Sequence, residues 1–205
     1  MAQYAFYFDN ARCTGCKTCV LACKDKKNLN TGEAYRRVYE YAGGATEKSA
    51  DAFATTCFAY TVSVACNHCD SPVCYANCPQ GAIEKDPETG FVSSDPEKCI
   101  GCGTCANVCP YGAPHVNEET KKSVKCDGCA DLVAAGGKPA CVTSCPARAL
   151  NFGEADAMAA LGERADIAPL PSVSETTPNL FIKASADARG ADSSDGEVAN
   201  SAELA

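Results

Sequence analysis

Tryptophan is absent from this sequence, and histidine and methionine occur only twice each. So few imidazole and thioether side chains argue against a haem or a histidine-ligated catalytic metal as the main cofactor. Long apolar runs are missing as well, because no window approaches the roughly 20 residues that span a bilayer. The first nine residues contain no basic segment and no long apolar stretch, so we expect no signal peptide here.

Cysteine, in contrast, is in excess, with 17 among 205 residues. This content is typical of a secreted disulfide scaffold or of a protein that binds metal clusters. Acidic residues outnumber basic residues by 26 to 18 and give a formal net charge of −8, which argues against nucleic-acid binding. The spacing of the cysteines decides between the two remaining classes.

Sixteen of the cysteines form four groups of four, which is an internal repeat. Groups one and three have the spacing C-x2-C-x2-C-x3-C, group two has C-x2-C-x4-C-x3-C, and group four has eleven residues between its second and third cysteines. Proline follows the last cysteine of groups two, three and four. The groups are Cys13, Cys16, Cys19 and Cys23; Cys66, Cys69, Cys74 and Cys78; Cys99, Cys102, Cys105 and Cys109; and Cys126, Cys129, Cys141 and Cys145.

This spacing is that of the bacterial ferredoxins, in which three close thiolates bind one [4Fe–4S] cluster and the fourth reaches a second cluster. Thiolates are also the ligands that iron prefers in such clusters. Structural zinc is the main alternative, but zinc ribbons separate their two CxxC pairs by about a dozen residues or more. Group four alone could pass for a zinc site. The four groups together predict four [4Fe–4S] clusters.

The gaps between the groups predict how they pair. A two-cluster ferredoxin joins its two runs through about twenty residues that form a strand, a turn and a strand. Groups two and three meet this condition, so groups one and four remain to pair around them. If the fourth cysteine of each group binds the partner group's cluster, four ligand sets follow. They are set 1 (Cys13, Cys16, Cys19 and Cys145), set 2 (Cys66, Cys69, Cys74 and Cys109), set 3 (Cys99, Cys102, Cys105 and Cys78) and set 4 (Cys126, Cys129, Cys141 and Cys23).

The expected fold class is α+β, with two nested ferredoxin-like 2[4Fe–4S] modules built from short strands, helices and long loops. We expect an outer module at 1–30 plus 120–160, a strand-rich insertion at 31–65, an inner module at 66–119, and a C-terminal tail at 161–205 that is extended, partly disordered and in contact with a partner. The patterns also predict strands at 4–8, 35–41, 57–64 and 148–153, and a short helix at 154–164.

Several stretches give the chain a resemblance to the iron–sulfur subunit of the dimethyl sulfoxide reductase family, over nearly its whole length. They are 6–26, 36–44, Cys66-Asn-His-Cys69, Cys109-Pro-Tyr-Gly-Ala-Pro114 and Lys125-Cys-Asp-Gly-Cys129. The resemblance implies a complex in which a membrane anchor oxidises quinol and a molybdopterin catalytic subunit reduces an S- or N-oxide. This chain would carry the electrons between them. Some relatives lack one cysteine of group three and hold a [3Fe–4S] centre, but Cys102 and its neighbours are all present here.

Such a subunit needs no catalytic residue, since distance and cluster potential determine its function. We expect a peripheral subunit that associates with the membrane through its partners, with no direct span. A partner that carries an export signal would decide on which side of the membrane it lies. The alternatives are the four-cluster subunits of formate dehydrogenases, of nitrite, polysulfide or tetrathionate reductases and of hydrogenases, a free polyferredoxin, and a zinc-binding module.

Three residues outside these sets need an interpretation. Cys57 lies on a predicted strand, so we expect it to pack in the core as a small apolar side chain. His68 and His115 could tune a cluster or serve a proton path, but we expect each to make a hydrogen bond within a loop.

Four lysines surround group one: Lys17, Lys24, Lys26 and Lys27. They could dock a partner, tune a cluster or form a solvated face, and these alternatives stay open.

Overall fold

The protein is described by a computed structural model that covers residues 2–204, so Met1 and Ala205, the end residues of the expected outer module and tail, lie outside the described part. The strands are β1 (Tyr4–Asp9), β2 (Arg37–Gly43), β3 (Thr46–Ser49), β4 (Ala52–Thr55), β5 (Phe58–Val64), β6 (Ile83–Lys85), β7 (Val92–Ser94), β8 (His115–Val116), β9 (Ser123–Val124), β10 (Leu150–Glu154), β11 (Glu163–Arg164), β12 (Leu180–Lys183) and β13 (Gly196–Val198). The helices are α1 (Thr18–Lys27), α2 (Val73–Ala76), α3 (Thr104–Val108), α4 (Ala130–Ala134), α5 (Ala140–Thr143) and α6 (Ala155–Ala159).

A four-stranded sheet in the order β10-β1-β12-β11 organises the structure. β1 and β10 are antiparallel, with Phe6 opposite Phe152, so the strands predicted before group one and after group four are confirmed. Phe6, Phe8 and Leu180 are buried in the main apolar core. The pairing of β1 with β10 brings the loops that carry groups one and four together.

A second sheet, in the order β13-β2-β5, takes β2 and β5 from the predicted insertion. Its antiparallel β2–β5 pair confirms the strands predicted around 35–41 and 57–64. The Gly43-Gly44 segment at the end of β2 leads into a separate hairpin, β3–β4, whose residues are all exposed. Only the β2–β5 part of the insertion therefore contributes to the core.

Two small hairpins follow groups two and three. β6 and β7 form the strand–turn–strand connection predicted between these groups, and their turn is fixed by Asp86, whose carboxylate accepts hydrogen bonds from the backbone N–H groups of Glu88 and Thr89. β8 and β9 repeat the arrangement, with Asn117 accepting from the N–H groups of Glu119 and Thr120. An Asx turn thus closes each hairpin and positions the next cysteine group.

The helices are short, and most of them carry one or two cysteines. α1 holds Cys19 and Cys23, α2 holds Cys74, α3 holds Cys105 and α5 holds Cys141. Helices of four to ten residues are marginal in isolation, so tertiary contacts must stabilise them. Within residues 2–204, no helix is long and apolar enough to cross a membrane.

The C-terminal region contributes β11, β12 and β13 to the two larger sheets of this chain, while its contact with a partner stays a prediction. β12 lies between β1 and β11, and Leu180, Phe181 and Ile182 are buried in this chain's own sheet. β13 extends the second sheet, where the Asn200 side chain bonds to the backbone of Val38 and Glu40. The predicted helix within 154–164 is shorter than expected and is followed by β11.

Replacing Leu180 by Ala should therefore lower the free energy of unfolding by about 2–5 kcal/mol, because a buried leucine is lost from the central sheet. The matched control is Leu161→Ala, since Leu161 is 45% exposed and should contribute less than about 0.5 kcal/mol. Anaerobic urea denaturation followed by circular dichroism measures both. Equal midpoints for the two variants would show that β12 is not part of the stable core.

Candidate metal centres

Three cavities of nearly equal size are each lined by four cysteines. Their empty volumes, which include some space open to solvent, are about 330, 340 and 330 Å³. Each combines three cysteines of one group with the last cysteine of another group. The lining cysteines are Cys78, Cys99, Cys102 and Cys105 in one cavity, Cys66, Cys69, Cys74 and Cys109 in the next, and Cys13, Cys16, Cys19 and Cys145 in the third.

The remaining cysteines of the four groups lie together in the interior. Cys23, Cys126, Cys129 and Cys141 are all less than a tenth exposed. α1, which carries Cys23, packs against α5, which carries Cys141. Burial, together with the neighbouring thiols of Cys141 and Cys129, raises the pKa of Cys23 to about 12. The fold thus brings four sets of four cysteines together.

Left-handed backbone conformations shape the loops that carry the cysteines. In each CxxC pair that opens a group, the residue just before the second cysteine has a positive φ, as in Gly101 (71°) and Gly128 (70°). His68 takes the corresponding position in group two with a φ of 45°, although it is not a glycine. The turn directs backbone N–H groups at sulfur, because the N–H groups of Gly101 and Gly128 lie 3.4 Å from the Sγ atoms of Cys99 and Cys126.

The electrostatics of the thiols fit a bound cation. All seventeen cysteines are free, and burial raises the pKa of Cys69 to about 12 and that of Cys74 to about 11. Such thiols stay protonated near neutral pH, so they become thiolate ligands only if a metal provides positive charge. Among the described residues, no three Cys, His, Asp or Glu side chains converge closely enough for a single metal ion. Four sulfurs around a larger cavity fit a polynuclear cluster better than a single zinc ion.

The sets differ in their contact with solvent. Cys16 of set 1 and Cys102 of set 3 are exposed, whereas the cysteines of set 4 are buried. The hydroxyls of Thr18 and Thr104 lie 3.4 Å from the Sγ atoms of these two exposed cysteines. These hydrogen bonds lower the pKa of both thiols. Sets 1 and 3 therefore reach the surface through similar loops.

Two buried cations lie beside the cysteines, and the sequence reasoning missed both of them. Lys125 is 6% exposed, and its Nζ donates to Cys66 Sγ at 3.2 Å and to the carbonyl oxygens of Cys126, at 3.1 Å, and Val92. Arg36 is 1% exposed, and its guanidinium lies over the Phe6 ring at 4.8 Å. The sequence signal was weak, because a lysine or arginine near a cysteine is ordinarily a surface residue.

The two histidines differ in their environment. His68 is buried, and its Nδ1 accepts a hydrogen bond from the Val92 N–H at 2.9 Å, which confirms the predicted hydrogen bond. Burial and the nearby Lys125 hold its pKa well below the usual value, so the ring is neutral. The prediction for His115 is wrong: it lies on β8, and its closest charged group is a Glu33 oxygen at 3.7 Å, beyond hydrogen-bonding distance.

Cys57 and the lysines near group one also have defined positions. Cys57 is exposed beside Thr46, so the prediction that it packs in the core is wrong. It follows the exposed β3–β4 hairpin and precedes β5, where the chain has not yet entered the core. Lys17 pairs with Glu40, Lys26 with Asp131, and Lys27 with Asp127. The positive charge around group one is thus largely compensated within this chain.

Two family descriptions match the regions that contain these cysteines. A 4Fe-4S dicluster domain matches residues 57–155, and a 4Fe-4S binding domain matches residues 10–32. Together they cover all four cysteine groups. The chain thus contains ferredoxin-type 4Fe–4S domains in a mixed α/β structure with few helices.

Similarity to known proteins extends over nearly the whole chain. It is 49% identical over 203 residues to the B subunit of the anaerobic dimethyl sulfoxide reductase of Escherichia coli (strain K12), covering 98% of each protein. The corresponding B subunit from Haemophilus influenzae is 47% identical over 206 residues, covering 100% of each protein. A thiosulfate reductase electron transfer subunit from Salmonella typhi is 40% identical over 155 residues, which are 75% of this chain and 77% of that one. With the cysteine sets and this full-length similarity together, the chain belongs to the family of dimethyl sulfoxide reductase iron–sulfur subunits.

Proposed function

We propose that this chain is the electron-transfer subunit of a membrane-associated reductase. It relays electrons from a quinol-oxidising membrane anchor to a molybdopterin catalytic subunit that reduces an S- or N-oxide such as dimethyl sulfoxide. The observation that carries the proposal is the lining of three similar cavities by four cysteines each, in a chain 49% identical to a dimethyl sulfoxide reductase B subunit over 98% of its length.

Sets 1, 2, 3 and 4 are the proposed ligands of four [4Fe–4S] clusters, one cluster for each set. When bound, each cluster accepts and gives up one electron at a time. The chain itself supplies four thiolates to each cluster, donates backbone N–H groups to sulfur and excludes water from the interior sets. Each of these affects the potential at which an electron is held.

The order of the clusters along the chain's interior is proposed to be 1, 4, 2 and 3. Arg36 lies near thiols of both set 1 and set 4. Cys19 of set 1 and Cys141 of set 4 both favour its positive charge. Lys125 connects sets 4 and 2 in the same way, through Cys126 and Cys66. Sets 2 and 3 share one apolar cluster, in which Cys74 and Cys105 pack with Ile83 and Val92.

Electrons would enter and leave at the two ends of this row. Its end sets, 1 and 3, have the exposed cysteines Cys16 and Cys102, whereas the middle sets are shielded. Such an arrangement suits a relay that contacts one partner at each end. The partners would hold the chain at the membrane as a peripheral subunit, in keeping with the lack of a membrane-spanning helix between residues 2 and 204.

The proposed architecture within this function is two nested modules. Groups one and four, in 1–30 plus 120–160, form the outer module, which the pairing of β1 with β10 supports. Groups two and three, in 66–119, form the inner module around the β6–β7 hairpin. Segments 31–65 and 161–204 would enclose them, since Thr176 lines the cavity of set 2 and Asn179 bonds to the His68 carbonyl.

Anaerobically purified protein should contain about sixteen iron and about sixteen acid-labile sulfide per chain, because four cubanes contribute four of each. Dithionite reduction should produce overlapping, spin-coupled [4Fe–4S]⁺ signals in EPR. Metal analysis by mass spectrometry is the first measurement. A protein filled with zinc, with little iron after anaerobic reconstitution, would contradict the proposal.

Cys16→Ala should remove between about one and four iron atoms per chain, because set 1 loses one of its four ligands. Cys16 is exposed, so the substitution leaves the apolar core intact. Cys57→Ala is the matched control, since Cys57 is also exposed but lies in none of the sets, and its iron content should equal that of the parent protein. Equal iron loss in both variants, or none in Cys16→Ala, would contradict the ligand assignment.

A tagged chain expressed with its neighbouring genes should co-purify from solubilised membranes with a molybdopterin-containing subunit and an integral membrane subunit. Addition of a quinol should then reduce its clusters, and addition of dimethyl sulfoxide should reoxidise them, as followed by absorbance under anaerobic conditions. A chain that isolates only as a free monomer would contradict the complex. Reoxidation by a different substrate class alone would contradict the assigned partner.

A further inference from the structure

Arg36 and Lys125 stand out because both are cations held in the interior without a carboxylate partner in the described part of the chain. Lys17, Lys26 and Lys27 near group one, in contrast, pair with Glu40, Asp131 and Asp127. A buried cation with no counter-charge is costly, so the surroundings must supply one. The groups that surround these two cations are cysteine sulfurs.

Lys125 lies where sets 2 and 4 meet. Its Nζ donates to Cys66 Sγ, which belongs to set 2, and to the carbonyl oxygen of Cys126, which belongs to set 4. A lysine ammonium ordinarily carries its positive charge at neutral pH. These two hydrogen bonds therefore place a positive charge between two cysteine sets.

Arg36 holds the corresponding position between sets 1 and 4. Its Nη1 donates to the Ser63 hydroxyl at 3.1 Å, and that hydroxyl lies 3.4 Å from Cys19 Sγ of set 1. Burial opposes its charge, but Cys141 of set 4 and Cys19 of set 1 favour it. Nε and Nη2 are buried and have no hydrogen-bond partner among the described residues. A buried guanidinium with two free donors, next to two cysteine sets, is suited to the sulfur atoms of bound clusters.

We infer that Arg36 and Lys125 are positioning residues for electron transfer: one cation between sets 1 and 4 and the other between sets 4 and 2, each raising the reduction potentials of the clusters on both sides of it. The inference rests on the proposed function, since it requires clusters in these sets. One-electron reduction takes a cluster and its four thiolates from a net charge of about 2− to about 3−. A nearby fixed positive charge stabilises the reduced form, and it also weakens the repulsion between reduced neighbours.

The test replaces each cation by a neutral side chain in the full chain, purified anaerobically, and measures all four midpoint potentials by EPR-monitored redox titration. Lys125→Met removes the charge with an unbranched side chain, and Lys125→Gln removes the charge but keeps a donor. Both should lower two of the four midpoints. For each of these two clusters, the ratio of reduced to oxidised cluster at fixed potential should fall at least tenfold. For a one-electron couple, a tenfold fall corresponds to a midpoint that is lower by about 59 mV.

The arrangement predicts which midpoints stay constant. The signal altered in Cys16→Ala identifies the cluster of set 1. In the Lys125 variants, the ratio of reduced to oxidised cluster in set 1 should change by less than threefold at fixed potential. Arg36→Gln should instead shift set 1 together with set 4 and leave set 3, identified through Cys102→Ala, unchanged. Arg36→Lys keeps the charge, so in no set should the ratio of reduced to oxidised cluster change by more than threefold at fixed potential.

Lys85→Met is the matched control for Lys125. Lys85 also lies beside set 2, where its Nζ donates to the Cys69 carbonyl at 2.9 Å, but it is partly exposed and pairs with Asp70 at 3.6 Å. Lys85→Met should change the ratio of reduced to oxidised cluster in set 2 by less than threefold at fixed potential. The Lys85 charge is already compensated by Asp70 and screened by solvent. An equal shift in Lys85→Met and Lys125→Met would overturn the importance of the buried position.

Iron and sulfide analysis separates this inference from the proposed function. A parent protein without clusters refutes the function itself. If the neutral variants hold as much iron as the parent and no midpoint moves, or all four move equally, the inference is refuted while the function stands. If every neutral variant of both residues loses its iron, the two cations have a structural role in place of the one proposed.

Discussion

The structure depends on one constraint, which is that a chain of 205 residues must bury most of the sixteen cysteine side chains in its four groups. A thiolate in an apolar interior is unfavourable, as the raised pKa of Cys23, Cys69 and Cys74 shows. Bound iron removes this penalty, because the cluster core provides the positive charge that the ligands require. Folding and cofactor binding are therefore expected to be coupled, and the chain's local structure agrees with such coupling.

Short helices and tight turns are the form that this coupling takes. α2, α3 and α5 have four or five residues each, which is too few for a stable isolated helix, and each carries one cysteine. The positive φ values before the second cysteines of groups three and four direct the N–H groups of Gly101 and Gly128 at sulfur, so the turn itself provides donors to the cysteines. The permanent framework comes from the four-stranded sheet, where β12 joins the C-terminal region to β1.

The sequence predicted the parts of the molecule that depend on local spacing. The cysteine groups, the β6–β7 connection and the strands β1, β2, β5 and β10 all follow from local patterns, none longer than one cysteine group, which can be recognised without the fold. Contacts distant in sequence were missed. Nothing local distinguishes Lys125 from Lys122, or shows that Leu180 will pack beside Phe6. Cys57 was misplaced because the predicted strand at 57–64 includes it, whereas the observed strand β5 begins one residue later, at Phe58.

Charge compensation follows a consistent rule from the surface to the interior. At the surface near group one, each of Lys17, Lys26 and Lys27 pairs with a carboxylate, so these lysines contribute little net field at the clusters. Arg36 and Lys125 are placed where water cannot screen them, and their nearest anionic groups are the cysteines themselves. One buried charge between two sets acts on both, whereas one beside an end set would act on a single cluster. In the proposed row, cations at the junctions of sets 1, 4 and 2 would favour electrons in the middle, while the exposed ends at Cys16 and Cys102 would exchange electrons with partners.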